Sequence, residues 1–460
     1  MFTADDRFTP LALSPRLKTK NRVVVPAMAS ETADAEGYAT QATVGRYRRL
    51  AEAGAGMVMV EYTYVHRSGR SEPNQLGADK EAHTEGLERV AGVIRAAGSV
   101  PGLQLTHAGG KTERRYTDGR IMGPSGIAVP VKDRLLEAPG AMDAADIVLW
   151  RDSFVAAAAR GVAAGFELIE LHAAHGYGLN QWLSPLTNTR TDAYGGTLAN
   201  RARLLIEIVT AIKTLFPDLV ISVRVPGQDH LPGGLTTGES IRMAKLLVAA
   251  GAGLINVSSG LGGWRRPGDR SGEGYLVAEA AAFQAQLTVP VIGVGGIETG
   301  AFIDASLSKR SFALAAVGRA ILADPVEWGR RQLVAVPTED QVRDIKVTVQ
   351  RYLDGFLAQE ASLLRRAFHQ HSQLMAVDGG EVSASTTAGW FERIEKRRAD
   401  GGGALTGSAS IIGVDHVESA AVVKVSIALP AYTFTDYLSL LKTVSGWQIV
   451  NKIYEARDNA

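Results

Sequence analysis

Three residues able to hold an oxygen or move a proton lie within six positions of one another: His172, His175 and Tyr177. They follow the apolar run Phe166 to Leu171 (FELIEL), which reads as a buried strand, so the two imidazoles and the phenol collect at a strand end. Two imidazoles at this spacing suit one of three tasks. They can bind a metal, although such a site usually takes a third protein ligand, and the nearest carboxylate, Glu170, stands an even step from His172. They can hydrogen-bond one substrate oxygen, or one of them can merely satisfy backbone carbonyls. Tyr177 adds a phenol able to give up a proton.

A second group is rich in glycine. VIGVGGI (Val291 to Ile297) and AVGRAILADP (Ala316 to Pro325) each end an apolar run and open onto a helical pattern. Gly295, Gly296 and Gly318 would expose backbone N–H groups, and Arg319 would add a charge-assisted donor, which together suit a phosphate. Tight turning alone is the plainer account of either element. Gln104 and Arg224 close two further apolar runs. An amide pairs with both a donor and an acceptor of a heterocycle, and an arginine beside it stabilises an anionic ring. A packed polar network is the alternative there.

These residues share a position: each follows a short β-branched or apolar run. Such runs recur at Val23 to Val25, Met57 to Val60, Leu103 to Thr106, Leu168 to Leu171, Val220 to Val225, Leu254 to Val257, Val289 to Val294 and Ala313 to Val317. Helical patterns lie between them, such as Ala199 to Leu215 and Gly238 to Ala250. Continuous apolar runs fit parallel strands buried on both faces, and eight of them by residue 330 or so predict an eight-fold (β/α)8 TIM barrel. An open doubly wound sheet fits less well, because no GxGxxG follows an early strand. In a barrel the catalytic groups come from the C-terminal strand ends and the loops after them. Those positions are Pro26 to Ala29, Glu61 and Tyr62, Gln104 to His107, His172 to Tyr177, Arg224, Ser258 to Gly260, Gly293 to Gly296, and Gly318 with Arg319.

The pattern changes after Asp324-Pro325. A long amphipathic helix is predicted from Val342 and a second over SLLRRAFHQH (Ser362 to His371), followed after Asp400 to Gly403 by alternating strands. Helices and then an antiparallel meander describe a smaller α+β domain. The expected division is a barrel over residues 1–335 and this domain over 342–460, with the junction at Val334 to Asp340.

Composition narrows the function classes. The 460 residues carry 49 basic and 48 acidic side chains, a formal charge of +1, which argues against a nucleic-acid or membrane-surface partner. There is no cysteine, hence no disulfide, thiolate metal site or cysteine nucleophile. No segment reads as a signal peptide or a bilayer span, so a cytoplasmic protein acting on a small molecule is expected.

At these residues the sequence resembles the Old Yellow Enzyme family of FMN-dependent ene-reductases, over roughly residues 5 to 335. The resemblance is carried by LKTKNRVVVPAM (Leu17 to Met28), LQLTHAGGK (Leu103 to Lys111), IELHAAHGYGLNQWLSPLTNTRTDAYGGTLANR (Ile169 to Arg201), SVRV (Ser222 to Val225) and the two glycine elements. The paired histidines resemble the bacterial, thermophilic-type branch. The resemblance implies FMN across the barrel mouth, with its phosphate at Gly295, Gly296, Gly318 and Arg319. It further places Gln104 at the pyrimidine edge, Arg224 near the N1–C2=O region, and the Pro26, Ala27, Met28, Ala29 and Tyr62 backbone along the ring. It makes His172 and His175 the clamp on the carbonyl or nitro oxygen of an activated alkene and Tyr177 the proton donor to its α-carbon, with hydride arriving at the β-carbon and NADPH or NADH reloading the flavin. No metal is implied.

Three positions depart from the family. Ala29 stands where a redox-tuning cysteine or threonine is common, Glu31 where this branch often has a tyrosine facing substrate, and Tyr62 where a small residue is usual. Glu31 and Trp264, the latter in the loop Gly260 to Tyr275, are the further candidate substrate contacts. The C-terminal part, about Val342 to Ala460, resembles the lumazine-binding members of the nuclear-transport-factor-like cone fold, on YLDGF (Tyr352 to Phe356), LLRRAFHQHSQLMAVDGGEV (Leu363 to Val382) and FTDYLSLLKTVSGWQIVNKIYE (Phe434 to Glu455). Such a cone would bind a small aromatic ligand, build a second active site around His369 and Asp378, or make the protein a homo-oligomer. Three alternatives to alkene reduction stand beside it: a flavin dehydrogenase or desaturase on a dedicated substrate, a flavin- or pterin-binding scaffold, and a flavin-free barrel isomerase or aldolase. The last needs a lysine or carboxylate at a strand end, where Glu61 alone offers itself.

Overall fold

Eight apolar runs become eight strands: β1 (Val23–Val25), β2 (Met57–Tyr64), β3 (Val100–Thr106), β4 (Leu168–His172), β5 (Val220–Pro226), β6 (Leu254–Ser258), β7 (Val291–Gly293) and β8 (Leu314–Ala316). They close in chain order into a barrel, each parallel to both neighbours. The computed structural model describes residues 6–131, 135–263, 266–268, 270–333, 339–417 and 419–459. The chain forms two compact units, Met1–Val334 and Ala335–Ala460.

Strand periodicity decides what faces the barrel axis. Val24, Met57, Met59, Val100, Leu168, Val220, Leu254, Ile292 and Leu314 pack as one inner apolar cluster, whereas Val23, Val25, Ile169, Leu171, Ile221, Val223, Ile255 and Val257 join the larger layer under the helices. A step of two along β4 therefore carries the inward face from Leu168 to Glu170 and then His172. The same step runs Val220, Ser222, Arg224 on β5 and Leu254, Asn256, Ser258 on β6. Cross-strand register aligns them, with Glu170 opposite Ser222 and His172 opposite Arg224. The barrel is thus filled by an apolar floor, a polar layer above it and reactive groups at the mouth.

Helices cover the outside and are fixed at their starts. The helix Ala144–Ala163 begins with a reciprocal Asp143–Asp146 capping box, and Thr237–Ala249 with Thr236 and Glu239. Among the described residues no helix is long and apolar enough to cross a membrane.

The second unit departs from the sequence reading between Phe368 and Ala399, where a hairpin and a third helix replace the end of the expected second helix and the polar turns after it. Its long helix, α1 (Glu339–Ala358), is present, but the next helix, α2 (Ala361–Ala367), stops at Ala367. His369 and His371 instead lie on β9 (Phe368–Asp378), which pairs with β10 (Glu381–Thr386) through the turn Gly379-Gly380. A third helix, α3 (Thr387–Ala399), precedes β11 (Ser408–Val417), β12 (Ala420–Ala428), β13 (Tyr432–Thr443) and β14 (Gly446–Asp458). The sheet order is β10-β9-β14-β13-β12-β11, antiparallel except where β9 runs parallel to β14. The expected helix over Ser362 to His371 is therefore corrected. The ladder from Phe368 to Ile449 offers that backbone a better set of partners than a helix ending in two exposed histidines.

Candidate active site

A cleft of about 460 Å3 opens at the C-terminal ends of the barrel strands, within the range of small-molecule sites. It brings together Pro26, Ala27, Met28, Ala29, Tyr62, Gln104, His172, His175, Tyr177, Arg224, Gly295, Gly296, Gly318 and Arg319, residues drawn from seven of the eight strand ends or the loops that follow. Glu31 is not among its lining: the residue is exposed, and its backbone adopts the left-handed region at φ 52°. Trp264 and Arg265 lie outside the described residues.

The polar layer below the mouth is built around Glu170. This wholly buried carboxylate accepts from Gln104 Nε2 at 2.8 Å, Ser222 Oγ at 2.8 Å and Asn256 Nδ2 at 2.9 Å. The contact fixes the amide of Gln104: one of its two N–H groups is spent on Glu170, which orients Oε1 as an acceptor for a ring N–H. Arg224, on the next rung, reaches Ser258 Oγ at 3.4 Å through Nη2, while its buried Nε has no hydrogen-bond partner. A buried unpaired guanidinium N–H costs free energy until an acceptor arrives.

Backbone geometry holds the two imidazoles. His175 sits at φ 60° and Gly176 at φ 77°, a reversal straight after β4 that turns the chain back over the mouth. The turn is pinned by Gly176 N–H to Asn180 Oδ1 at 2.8 Å and by Gln181, which bonds the carbonyls of Ala108 and Gly176 and the amide of Gly110. His175 Nε2 meets Ser258 Oγ at 2.7 Å, and Lys111 Nζ donates to the His175 carbonyl at 2.6 Å. The rings of His172 and His175 are 5.0 Å apart and nearly perpendicular, and that of Tyr177 is 4.9 Å from His172. Tyr62 stands 5.5 Å from Tyr177 on its other side, and Lys111 Nζ lies 4.3 Å from the Tyr177 ring. Burial, followed by the charges of Arg224 and Lys111, holds His172 well below the usual imidazole value; the same causes, with His172 added, lower His175. Both are neutral at physiological pH.

Glu61 is not presented to the cleft. It accepts from Ser30 N–H at 3.0 Å, from Ser30 Oγ and from the Tyr47 hydroxyl, and burial raises its pKa. Its task is to hold the loop after β1. That withdraws the strand-end carboxylate the sequence offered to a flavin-free isomerase. Among the described residues no group of three His, Cys, Asp or Glu gathers as a metal would need. The sequence marks Ser258 only as a strand-end position and Glu170 only as a carboxylate in step with His172, and assigns neither of them, nor Lys111, a task in the site. Glu170 was detectable from its even step to His172, and Ser258 from its strand-end position, but nothing local marks Lys111.

The glycine elements adopt the conformations their sequence suggests. Gly295 and Gly296 have φ 119° and 68°. A Cβ on Gly295 would come 2.7 Å from Leu276 N, and one on Gly296 2.9 Å from Tyr275 Cε1. Gly318 passes Met28 Sδ and Pro26 Cγ at 3.4 Å by the same measure.

Residues 6–332 match the family described as NADH:flavin oxidoreductase / NADH oxidase, and residues 340–455 that described as "Putative lumazine-binding". An NADPH dehydrogenase of Bacillus licheniformis is 36% identical over 320 residues, 69% of this chain and 91% of the relative. The NADPH dehydrogenase of Bacillus subtilis is 34% identical over 319 residues, with the same coverage of 69% and 91%. Among solved structures, histamine dehydrogenase from Rhizobium sp. 4-9 superposes with TM-score 0.63 at 26% identity, covering 70% of this chain and 47% of its own. A 2-naphthoyl-CoA reductase complex gives 0.64 at 25%, covering 70% and 51%. The chain thus spans about half the length of these two. Morphinone reductase, at 23% identity and TM-score 0.62 over 74% of this chain and 93% of its own, shares the fold.

Proposed function

The chain belongs to the NADH:flavin oxidoreductase / NADH oxidase family, and on that footing we propose that its barrel reduces the C=C bond of an alkene activated by a carbonyl or nitro group. It is an oxidoreductase of the Old Yellow Enzyme type that uses FMN and NAD(P)H. The observation that supports alkene reduction is the convergence of two neutral imidazoles and a phenol on one cleft, with ring centres 5.0 and 4.9 Å apart.

The residues present fit FMN. Gln104 Oε1 and the unpartnered Nε of Arg224 supply an acceptor and a donor for a heterocycle edge. Gly295, Gly296, Gly318 and Arg319 would hold the phosphate, with room where a Cβ would otherwise stand. FMN held there would supply hydride chemistry toward the β-carbon, with NAD(P)H as the source of the electrons. His172 and His175 would donate to the substrate oxygen and draw charge onto it as the alkene is reduced. Tyr177, between Tyr62 and His172, would deliver the proton to the α-carbon. Hydride and proton together account for both hydrogens added. Ala29 leaves the cleft without the sulfur or hydroxyl common at that position, and Tyr62, Tyr177 and Met28 give the entrance an apolar wall.

A cytoplasmic location and a homo-oligomer formed through the C-terminal unit belong to the same reading. NADPH is favoured over NADH by the names of the relatives.

Because both imidazoles titrate only on acidification below the ordinary range, the affinity for a neutral enone, read from flavin absorbance, should be constant over about pH 6 to 8. A roughly tenfold change centred near 6.5 would mean that a charged imidazole does the binding. The proton step is tested by Tyr177→Phe, which should slow reoxidation by an enone about 10²-fold or more and leave reduction by NADPH unchanged. Stopped-flow rates of both half-reactions decide it, and an unaltered reoxidation rate removes Tyr177 from the mechanism.

A further inference from the structure

A buried cation stands at the barrel mouth with no task in the chemistry so far. Lys111 follows β3 and is only 8% exposed, in a side chain that proteins rarely bury. Its backbone is firmly held. The Lys111 N–H donates to the Ala108 carbonyl at 3.0 Å, the Gly110 N–H to Gln181 Oε1 at 2.9 Å, and the Gly109 N–H to His107 Nδ1 at 3.1 Å. The ring of His107 is itself wholly buried and lies 3.9 Å from that of Trp150. The lysine stem therefore starts from a rigid base.

Its ammonium reaches the loop after β4 that carries Tyr177. Nζ donates to the His175 carbonyl at 2.6 Å and stands 4.3 Å from the centre of the Tyr177 ring. On the far side of Tyr177, the Gly178 N–H donates to the His107 carbonyl at 2.7 Å. Tyr177 is thus held between two bonds to one loop. His172 and Tyr62 also face the ring, at 4.9 and 5.5 Å, and burial above all keeps His172 neutral and Tyr62 protonated. Neither brings a charge to the phenol, whereas the ammonium does. A cation over a ring face is attracted even to a neutral ring, and in a site shielded from water it favours a negative ring far more.

We propose that Lys111 is a positioning residue for Tyr177, its ammonium fixing the His175–Gly178 segment and steadying the phenolate left when the proton departs. This role rests on the alkene reduction assigned above. In that step the Tyr177 O–H bond breaks and its electron pair stays on oxygen. The proton forms the new C–H bond at the α-carbon with the pair of the substrate carbanion, and solvent then reprotonates the phenolate. Lys111 itself neither gives nor takes a proton. A lysine kept for packing alone would matter equally whichever side chain stood at position 177.

Stopped-flow reoxidation of the reduced, FMN-loaded chain by an enone tests this in four proteins: unaltered, Lys111→Met, Tyr177→Phe and the two changes together. Lys111→Met should slow reoxidation about tenfold or more, the scale of a desolvated cation over a ring. In the Tyr177→Phe chain the same change should cost about twofold or less, because no phenolate forms for the ammonium to steady. Lys111→Gln, which keeps an N–H donor without the charge, should behave as Lys111→Met does, and it stands in should circular dichroism show the methionine variant unfolded. A second readout needs no alkene. The alkaline absorbance titration of the chain, less that of its Tyr177→Phe counterpart, reports the ionisation of this one phenol. Lys111→Met should raise its midpoint by about one pH unit or more, the equivalent of a tenfold effect. An enone that leaves the flavin of the unaltered chain reduced would overturn the reaction, and the phenol midpoint would still decide the role of Lys111. Equal slowing with and without the Tyr177 hydroxyl, reoxidation of Lys111→Met within about twofold of the unaltered rate, or an unmoved midpoint would each overturn that role.

Discussion

The double variant Gly295→Ala, Gly296→Ala should purify colourless and bind added FMN about 10³-fold more weakly than the unaltered protein. Both glycines occupy the left-handed region, at φ 119° and 68°, where a side chain costs about 1–2 kcal/mol per residue. A Cβ at Gly295 would stand 2.7 Å from Leu276 N and one at Gly296 2.9 Å from Tyr275 Cε1. The Tyr275–Leu276 segment must therefore move, and it lines the cleft and is tied to Gly295 by the Tyr275 N–H to Gly295 carbonyl bond of 2.9 Å. Moving this backbone also withdraws N–H donors from an anion, each worth about 1.5–3 kcal/mol. The strain weakens the folded chain with or without FMN, so the affinity loss is set by the donors: two withdrawn N–H groups account for about 4 kcal/mol, and each 1.4 kcal/mol is tenfold. Equilibrium dialysis against FMN measures the effect, with circular dichroism to show the barrel intact. A yellow preparation of unaltered affinity would place the phosphate elsewhere.

The pair His172→Ala, His175→Ala should retain flavin and lose about 10³-fold in kcat/KM for an enone. Removing one oxyanion donor from a preorganised site costs about 10²–10³ in rate, and groups acting on one oxygen lose less jointly than the product of their separate losses. The geometry predicts unequal partners. His175 Nε2 is engaged with Ser258 Oγ at 2.7 Å, whereas His172 Nδ1 accepts the Ala174 amide at 3.4 Å, which leaves its Nε2 carrying the proton. His172→Ala should therefore account for most of the loss, and His172→Gln, which keeps an N–H donor, should recover part of it. Steady-state kinetics on the three variants settle the order, and a pair within about threefold of the unaltered protein would remove the oxygen clamp.

How much of this was legible follows from the range over which each signal acts. The barrel strands are apolar on both faces, so short runs such as Val23 to Val25 and Leu254 to Val257 stand out locally. The mouth residues were legible because each sits at the end of such a run. The polar layer was not: Glu170 acquires its meaning from Gln104, Ser222 and Asn256, which lie 52 to 86 residues away in sequence and meet it only through strand register. Lys111 likewise reaches the carbonyl of His175, 64 residues on.

In the second unit the missed hairpin has a physical reason. Every residue of β10 is exposed, so its short alternation of Val382 and Ala384 with Ser383 and Ser385 packs no face into a core and is too weak to stand out from a polar loop. Its one local signal was the pair Gly379-Gly380, both at positive φ, flanked by Asp378 and Glu381 as ladder partners. Phe368 illustrates the opposite failure. It continues a helical apolar spacing from Leu364, and only its pairing with Ile449 turns the chain to strand there.

The central claim, that a flavin in this barrel passes hydride from a nicotinamide to an activated alkene, is tested most directly by anaerobic mixing in two steps. NADPH should bleach the yellow absorbance, and a carbonyl- or nitro-activated alkene added next should restore it with one equivalent of saturated product formed per flavin. Bleaching that no such alkene reverses, or reversal without saturated product, would contradict the account.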